Sequence, residues 1–369
     1  MILLTGKVGS CQHREFNFYK KTCTKQVFLF TTENSEIRRR NQRFLRRIFV
    51  LNAHFLALLI PCIYIESVLY LEQTNFFTLK NFFMKKILLP LVVFLACSSV
   101  SRAQVTFDSL RVFLGGSYDP SIGLMRDDLR SAGFIPLSQP YSSSPYYKMA
   151  IGEPDNEQVT STVLSTTGPE AIVDWVYLEV LNPLLFTDVV ATKRALVRRD
   201  GYIVDPSGLS YIIFQSLTPG SYILRISHRN HLPVETLVPV NCLTGNGTFD
   251  FTTGLLFNHT ASPGYYHTPT KIVDGVQVLW PGDANINRVV KYNGTYNDKE
   301  SIAYTVGSAN LLGYVTGYRA EDVNLDGIVK YNGTLSSGSD RVYILNTLMS
   351  CPANTQQSPN FILYPHTHN

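Results

Sequence analysis

Through "SYILRISHRN" the side chains alternate: Tyr222, Leu224 and Ile226 fall on one side, and Ile223, Arg225 and Ser227 on the other. A period of two is that of a strand with one buried and one solvated face. The run "AIVDWVYLEVL" is apolar on both sides, which predicts a central strand covered on both faces. Turn formers in "RRDGY", "DPSG" and "LTPGSY" punctuate the chain at strand-length intervals. From Val105 to about Phe257 these patterns predict an antiparallel β-sandwich. Helical spacing is found at the start, where Ile122, Met125 and Leu129 share one face of "SIGLMRDDLRSAG" and Gly133 is placed to end the helix. The stretch "SQPYSSSPYYKM" reads as an exposed loop, and "NHTASPGYYHTPTK" as a connection to the C-terminal part of the chain.

The N-terminal part has a different pattern. "MKKILLPLVVFLACSSVSRAQ" starts at Met84, sets Lys85 and Lys86 before an apolar run from Ile87 to Ala96, and reaches Ser101-Arg102-Ala103. That order is a secretory signal peptide over 84–103, with cleavage expected after Ala103. Upstream, "RRRNQRFLRR" precedes "IFVLNAHFLALLIPCIYIESVLYL". One reading is a membrane anchor with its positive residues on the cytoplasmic side. A span ahead of a signal peptide has little physical logic, so residues 1–83 are read instead as an upstream extension, with translation starting at Met84. Cys97 offers a lipidation site, but Phe94 and Leu95 stand where a lipobox has Leu and a small residue.

The formal charge of +4 averages two unlike parts, because residues 1–103 hold 15 Lys/Arg against 5 Asp/Glu and residues 104–369 hold 17 against 23. The expected exported chain is therefore acidic and free of a membrane span. Such a balance argues against nucleic-acid binding and suits divalent cations. Only Cys242 and Cys351 of the six cysteines lie beyond residue 103, and whether they pair is left open.

The most specific pattern is a repeat. "GDANINRVVKYNG", from Gly282 to Gly294, nearly recurs 39 residues later as "EDVNLDGIVKYNG", from Glu321 to Gly333. Alignment sets Asp283 on Asp322, Asn285 on Asn324 and Asn287 on Asp326. Oxygen-bearing side chains at alternate positions of a tight loop converge on one point, as a hard cation such as Ca²⁺ requires. The seventh-position residues, Val289 and Ile328, would add backbone carbonyls. Gly327 permits the sharp turn at the sixth position, where the first copy has Arg288. The plain alternative is a pair of Asx turns that bind no ion.

"DVNLDG" resembles the calcium loop of dockerin type I repeats and of the EF-hand. Dockerins carry two such loops in tandem, each followed by a helix; here "DKESIAYTV" follows the first, and "DRVYILNTLM" follows the second. Where dockerins place an Asp at the twelfth position, Gly294 and Gly333 stand, so the resemblance implies Asp298 and Asp340 as substitutes reached by a longer route. Lys291 and Lys330 replace a usual oxygen ligand at the ninth. Site two, with Asp322, Asp326 and Asp340, is expected to bind before site one, which has only Asp283 and Asp298 as carboxylates.

"ALVRRDGYIVDPSG" followed by "YIIFQSLTPGSYILRISHRNHLP" resembles the transthyretin-like and carboxypeptidase-regulatory-like β modules, which implies a non-catalytic sandwich. The arrangement as a whole resembles C-terminal portions of Bacteroidetes surface proteins that are labelled haemagglutinin-like or dockerin-like. The expected order is a sandwich over 104–257, a linker and edge strand over 258–278, a dockerin-like tandem over 279–350 and a tail over 351–369.

Catalytic sets are sparse. His228, His231 and Glu235 offer a metal triad, but they lie where a strand runs into a turn, and turn hydrogen bonding explains the histidines better. Asp174 and Glu179 fall on opposite faces of one strand, so they cannot flank a glycosidic bond, and Trp175 beside them reads as core. The basic run "TKRALVRR" reads as a solvated face. No G-x-S-x-G elbow, H-E-x-x-H helix or phosphate loop is present. The sequence thus leads to a secreted or surface-attached, non-enzymatic binding protein that uses calcium and meets a protein partner or a surface glycan. The alternative is an accessory component of a secreted polysaccharide- or peptide-degrading system.

Overall fold

The computed structural model describes residues 104–259 and 267–368. The expected upstream extension, signal peptide and residues 260–266 of the linker lie outside them. The protein is mainly β, with antiparallel pairing dominant.

The chain opens with β1 (Val105–Asp108), then a short hairpin of β2 (Tyr118–Asp119) and β3 (Leu124–Met125), and one helical turn, α1 (Asp128–Ser131). After α2 (Ser161–Leu164) come two long strands, β4 (Ile172–Asn182) and β5 (Leu185–Arg198), followed by β6 (Ile203–Val204), β7 (Tyr211–Phe214) and β8 (Ser221–Ser227). Three two-residue strands complete this part: β9 (Val234–Glu235), β10 (Val240–Asn241) and β11 (Asn246–Gly247). The larger sheet has the order β10-β8-β4-β5-β6, with β9 also on β8; the smaller has the order β11-β1-β7. Its β1–β11 pair is parallel.

Both sheets feed one core. Val176, Leu178 and Val180 from β4 and Leu224 and Ile226 from β8 join Phe107 of β1 and Phe214 of β7. The two phenyl rings meet edge to face at 5.7 Å. Each such side chain, fully buried, contributes about 1.5–3 kcal/mol. Trp175 also lies at 0% exposure, with its indole N–H donating to Pro136 O, so it is a core residue.

The other face of the large sheet differs from the expectation of a wet surface. Register places Tyr177 beside Arg194 and Ser227, and Glu179 beside Thr192 and Arg225. These side chains are polar yet largely buried, because residues 148–151 and the C-terminal tail lie over them. Arg194 donates to Lys148 O, Tyr177 to Met149 O, and Arg225 to His368 O. Arg194, read in sequence as part of a solvated basic face, is fully buried. The early helix is also shorter than its spacing suggests. Leu124 and Met125 pair with β2 instead, Ile122 is exposed, and Gly133 at φ +72° ends the single turn. The "SQPYSSSPYYKM" loop is pinned by buried Tyr141, whose hydroxyl donates to Trp175 O.

Beyond the larger core, β12 (Lys271–Val273) and β13 (Val276–Val278) form a hairpin. The repeat follows: β14 (Val290–Lys291) and α3 (Asp298–Val306), then β15 (Tyr314–Thr316), β16 (Ile328–Lys330) and α4 (Asp340–Met349), and last β17 (Ile362–Leu363). A second core collects Trp280, Val290, Ile302, Val323, Val329, Ile344 and Leu348 with Leu232 from the strand region. Cys242 and Cys351 sit in different cores and are both free thiols. Among the described residues no helix is long and apolar enough to cross a membrane.

Candidate metal centre

The two repeated loops have the same internal hydrogen bonding. Asp283 accepts from the backbone N–H of Asn287 and of Arg288, each at 2.9 Å. Asp322 accepts from Asp326 at 3.1 Å and from Gly327 at 2.9 Å. One step further, Asn285 accepts from Asn287 N and Asn324 from Asp326 N. Asn287 then accepts from Val289 N, as Asp326 does from Ile328 N. Alternating oxygen-bearing residues thus wind the backbone into a tight curl. The sixth residue of the curl takes a left-handed conformation in both copies, Arg288 at φ +65° and Gly327 at φ +82°.

The curl is closed by the first residue of the following helix. Asp298 opens α3 and accepts from Lys291 N at 2.7 Å and Asn285 N at 3.3 Å. Asp340 opens α4 and accepts from Lys330 N at 2.7 Å and Val323 N at 2.9 Å. The inserted segments that separate each loop from its helix are tied back by lysines, Lys291 to Thr295 O and Lys330 to Ser337 O.

Each loop therefore brings two carboxylates together: Asp283 with Asp298, and Asp322 with Asp340. All four are at most 3% exposed. Among the described residues none of them forms a salt bridge. Burial pushes Asp283 up to about 7 against the pull of its backbone donors. It does the same to Asp322, also to about 7, against the charge of Arg229. Asp298 and Asp340 are raised well above the usual carboxylate range, by burial first and then by the neighbouring Asp283 and Asp322 charges.

The donor set fits a hard cation in its chemistry, because carboxylate and amide oxygens alternate around each curl. The fit is not one of a ready carboxylate cage. Among the described residues no group of three or more His, Cys, Asp or Glu is placed to hold a metal. Asp326 is turned partly aside, accepting from Asn324 Nδ2 at 2.9 Å, and Asn285 and Asn287 donate to Tyr296 O.

The histidines of "SHRNHL" form no metal triad; they lie under the repeat. His231 Nε2 accepts from Gly116 N at 3.0 Å, so its proton sits on Nδ1, which faces His228 Nδ1 at 3.0 Å and Asn230 Oδ1 at 2.8 Å. His228 then carries its proton on Nε2 and donates to Asp174 at 3.0 Å. Both rings are neutral, and burial lowers the pKa of each. Arg229 and Tyr318 complete the shell of Asp174 at 3.0 and 2.7 Å. Burial pushes Asp174 up, but the Arg229 charge and these donors outweigh it and hold the group at about 2. Glu235 pairs with Arg225 and His368 instead. Sequence reasoning missed Asp174, Arg229 and Asn230 as a structural node; the available signal was an Asp inside an apolar central strand.

No protein-family model, no curated protein and no solved structure matches the chain.

Proposed function

We propose that the chain is an exported, non-enzymatic binding protein whose repeat is a dockerin-like pair of calcium loops set on a β-sandwich. The observation that carries this reading is the pair of matched, buried carboxylate couples, Asp283/Asp298 and Asp322/Asp340, none of which forms a salt bridge among the described residues. Burying one ionised carboxylate without a counter-charge costs several kcal/mol, and two in contact cost more. A divalent cation removes that penalty and converts repulsion into mutual attraction to the ion. Bound only by the folded form, it stabilises the repeat by mass action.

Calcium would fix α3 and α4 relative to the loops and make a rigid surface. The segment between the two copies exposes large side chains: Tyr296, Tyr304, Leu312 and Tyr314 are each at least 64% exposed. Exposed tyrosines suit contact with a protein or a sugar, because one end of the ring is apolar and the other bonds to polar groups.

Calcium titration calorimetry on the full chain tests this reading. Saturable binding of two ions is expected, with one ion lost in Asp322→Ala and affinity at that site reduced in Asp326→Ala. Absence of binding heat together with an unchanged melting point in calcium would sink it.

A further inference from the structure

Asn230, at the end of "SHRN" just past β8, is fully buried. Its main-chain carbonyl accepts from Gly282 N at 3.0 Å and Asp283 N at 3.1 Å, the start of the first loop. Its side-chain Nδ2 donates to Ala320 O at 2.9 Å and Asp322 O at 2.6 Å, the start of the second. Its Oδ1 accepts from His231. One residue thus touches the leading aspartate of both copies, one through an N–H and the other through a carbonyl.

The contact is rigidly backed. Arg229, next in sequence, bonds Asp174 in the central strand and the carbonyl of Arg319. Arg126 reaches Asn324 O at 2.6 Å from the other side of the second loop. Gly116 packs so closely that a Cβ there would lie 2.3 Å from Val323 O. The two loops also share the core around Ile302, Ile344 and Leu348, side chains carried by the helices that Asp298 and Asp340 open.

We propose that Asn230 couples the two loops, so that an ion taken up at one raises the affinity of the other; this rests on the reading of the loops as calcium sites. In the ion-free protein the leading aspartates are held in position through their backbone bonds to Asn230. An ion at the first loop fixes Asp283, and with it the Asn230 backbone. The side-chain amide is then held on Ala320 O and Asp322 O, so the second loop is ordered before its own ion arrives. Ordering shared in this way is positive cooperativity, and by linkage it runs equally in both directions.

The test is calcium titration calorimetry on the full chain, as wild type, Asp283→Ala, Asn230→Ala and the double variant. Wild type is expected to bind two ions, the second at least as tightly as the first. Asp283→Ala should weaken the surviving second site by about fivefold or more, within the usual range of coupling between sites. In the Asn230→Ala background the same Asp283→Ala change should alter that site by less than about twofold, as expected for uncoupled sites. If far-UV circular dichroism shows that Asn230→Ala does not fold, Asn230→Ser, which keeps the main-chain acceptor and a single donor, takes its place. An unchanged second site in Asp283→Ala overturns the coupling and leaves the calcium reading standing. Coupling that survives loss of the Asn230 amide assigns it to the helix core and overturns the role of Asn230. Failure of the wild type to bind calcium removes both readings at once.

Discussion

At the scale of single residues, the two loops solve one backbone problem at unequal cost. Both need a left-handed sixth residue, and the first copy forces Arg288 into it at φ +65°. A side chain there costs roughly 1 kcal/mol per residue relative to glycine. The second copy uses Gly327, where an added Cβ would lie 2.9 Å from the Phe134 ring. Gly327→Ala is therefore expected to destabilise the protein by about 1–3 kcal/mol, from backbone strain and overpacking together. Urea denaturation in calcium-free buffer checks it, and a midpoint equal to that of the wild type would contradict the geometry. The alternation of Asp and Asn in the loops was legible from the letters alone. Asn230 was not, because its importance comes from two chain segments, near 282 and near 320, that fold onto it from far along the sequence.

Among the elements, α3 and α4 are short and hold their place through their first turns. Asn297 accepts from Glu300 N at 3.1 Å to cap α3. Ser339 accepts from Val342 N at 3.4 Å to cap α4 and donates to Tyr331 O at 2.9 Å. Loss of an N-cap side chain costs about 1 kcal/mol. Asn297 makes a matching second bond, its Nδ2 donating to Gly294 O, and the Tyr331 carbonyl keeps Arg341 Nε as a donor when Ser339 is removed, so Asn297→Ala should cost at least as much as Ser339→Ala in a chemical denaturation series. A clearly larger loss in Ser339→Ala would contradict this accounting of the two caps. The apolar run of β4 announced a central strand, and the structure has one. For β8 the two-residue period was read correctly as a strand, but its polar face was assigned to water. Alternation reports which side chains share a face; it says nothing of what later segments cover that face, and here Lys148, Met149 and the tail do so.

For the molecule as a whole, the seam between the large sheet and the repeat is built on neutral histidines, and that makes it sensitive to acid. A second proton on His231 would have to sit on Nε2, directly against the Gly116 N–H that it accepts from. On His228 it would sit on Nδ1, against the Nδ1–H of His231. Around these rings stand Asp174, Arg229, Asn230 and Tyr318. Of these Asp174 and the Asn230 side chain favour a charged ring, and burial outweighs both; Asp174 is already engaged by Arg229 and Tyr318. The folded-state pKa of both rings therefore lies below the ordinary value of about 6.5, and the unfolded chain takes up the protons first. Their contribution to stability is complete above that value and is lost as the pH falls below it. Asp174, depressed to about 2, adds a loss in the same direction once the pH drops below the ordinary value of about 3.8. The loop carboxylates act in the opposite sense in calcium-free buffer, because their pKa values are raised and the folded form holds their protons longer. A melting curve would mix the two effects, so the rings themselves are the better report. Long-range ¹H–¹⁵N spectra should show His228 protonated on Nε2 and His231 on Nδ1 at neutral pH, with both rings titrating below the ordinary value of about 6.5. A ring that titrates freely near 6.5 would mean that it is open to water, and that the sheet does not support the repeat through this seam.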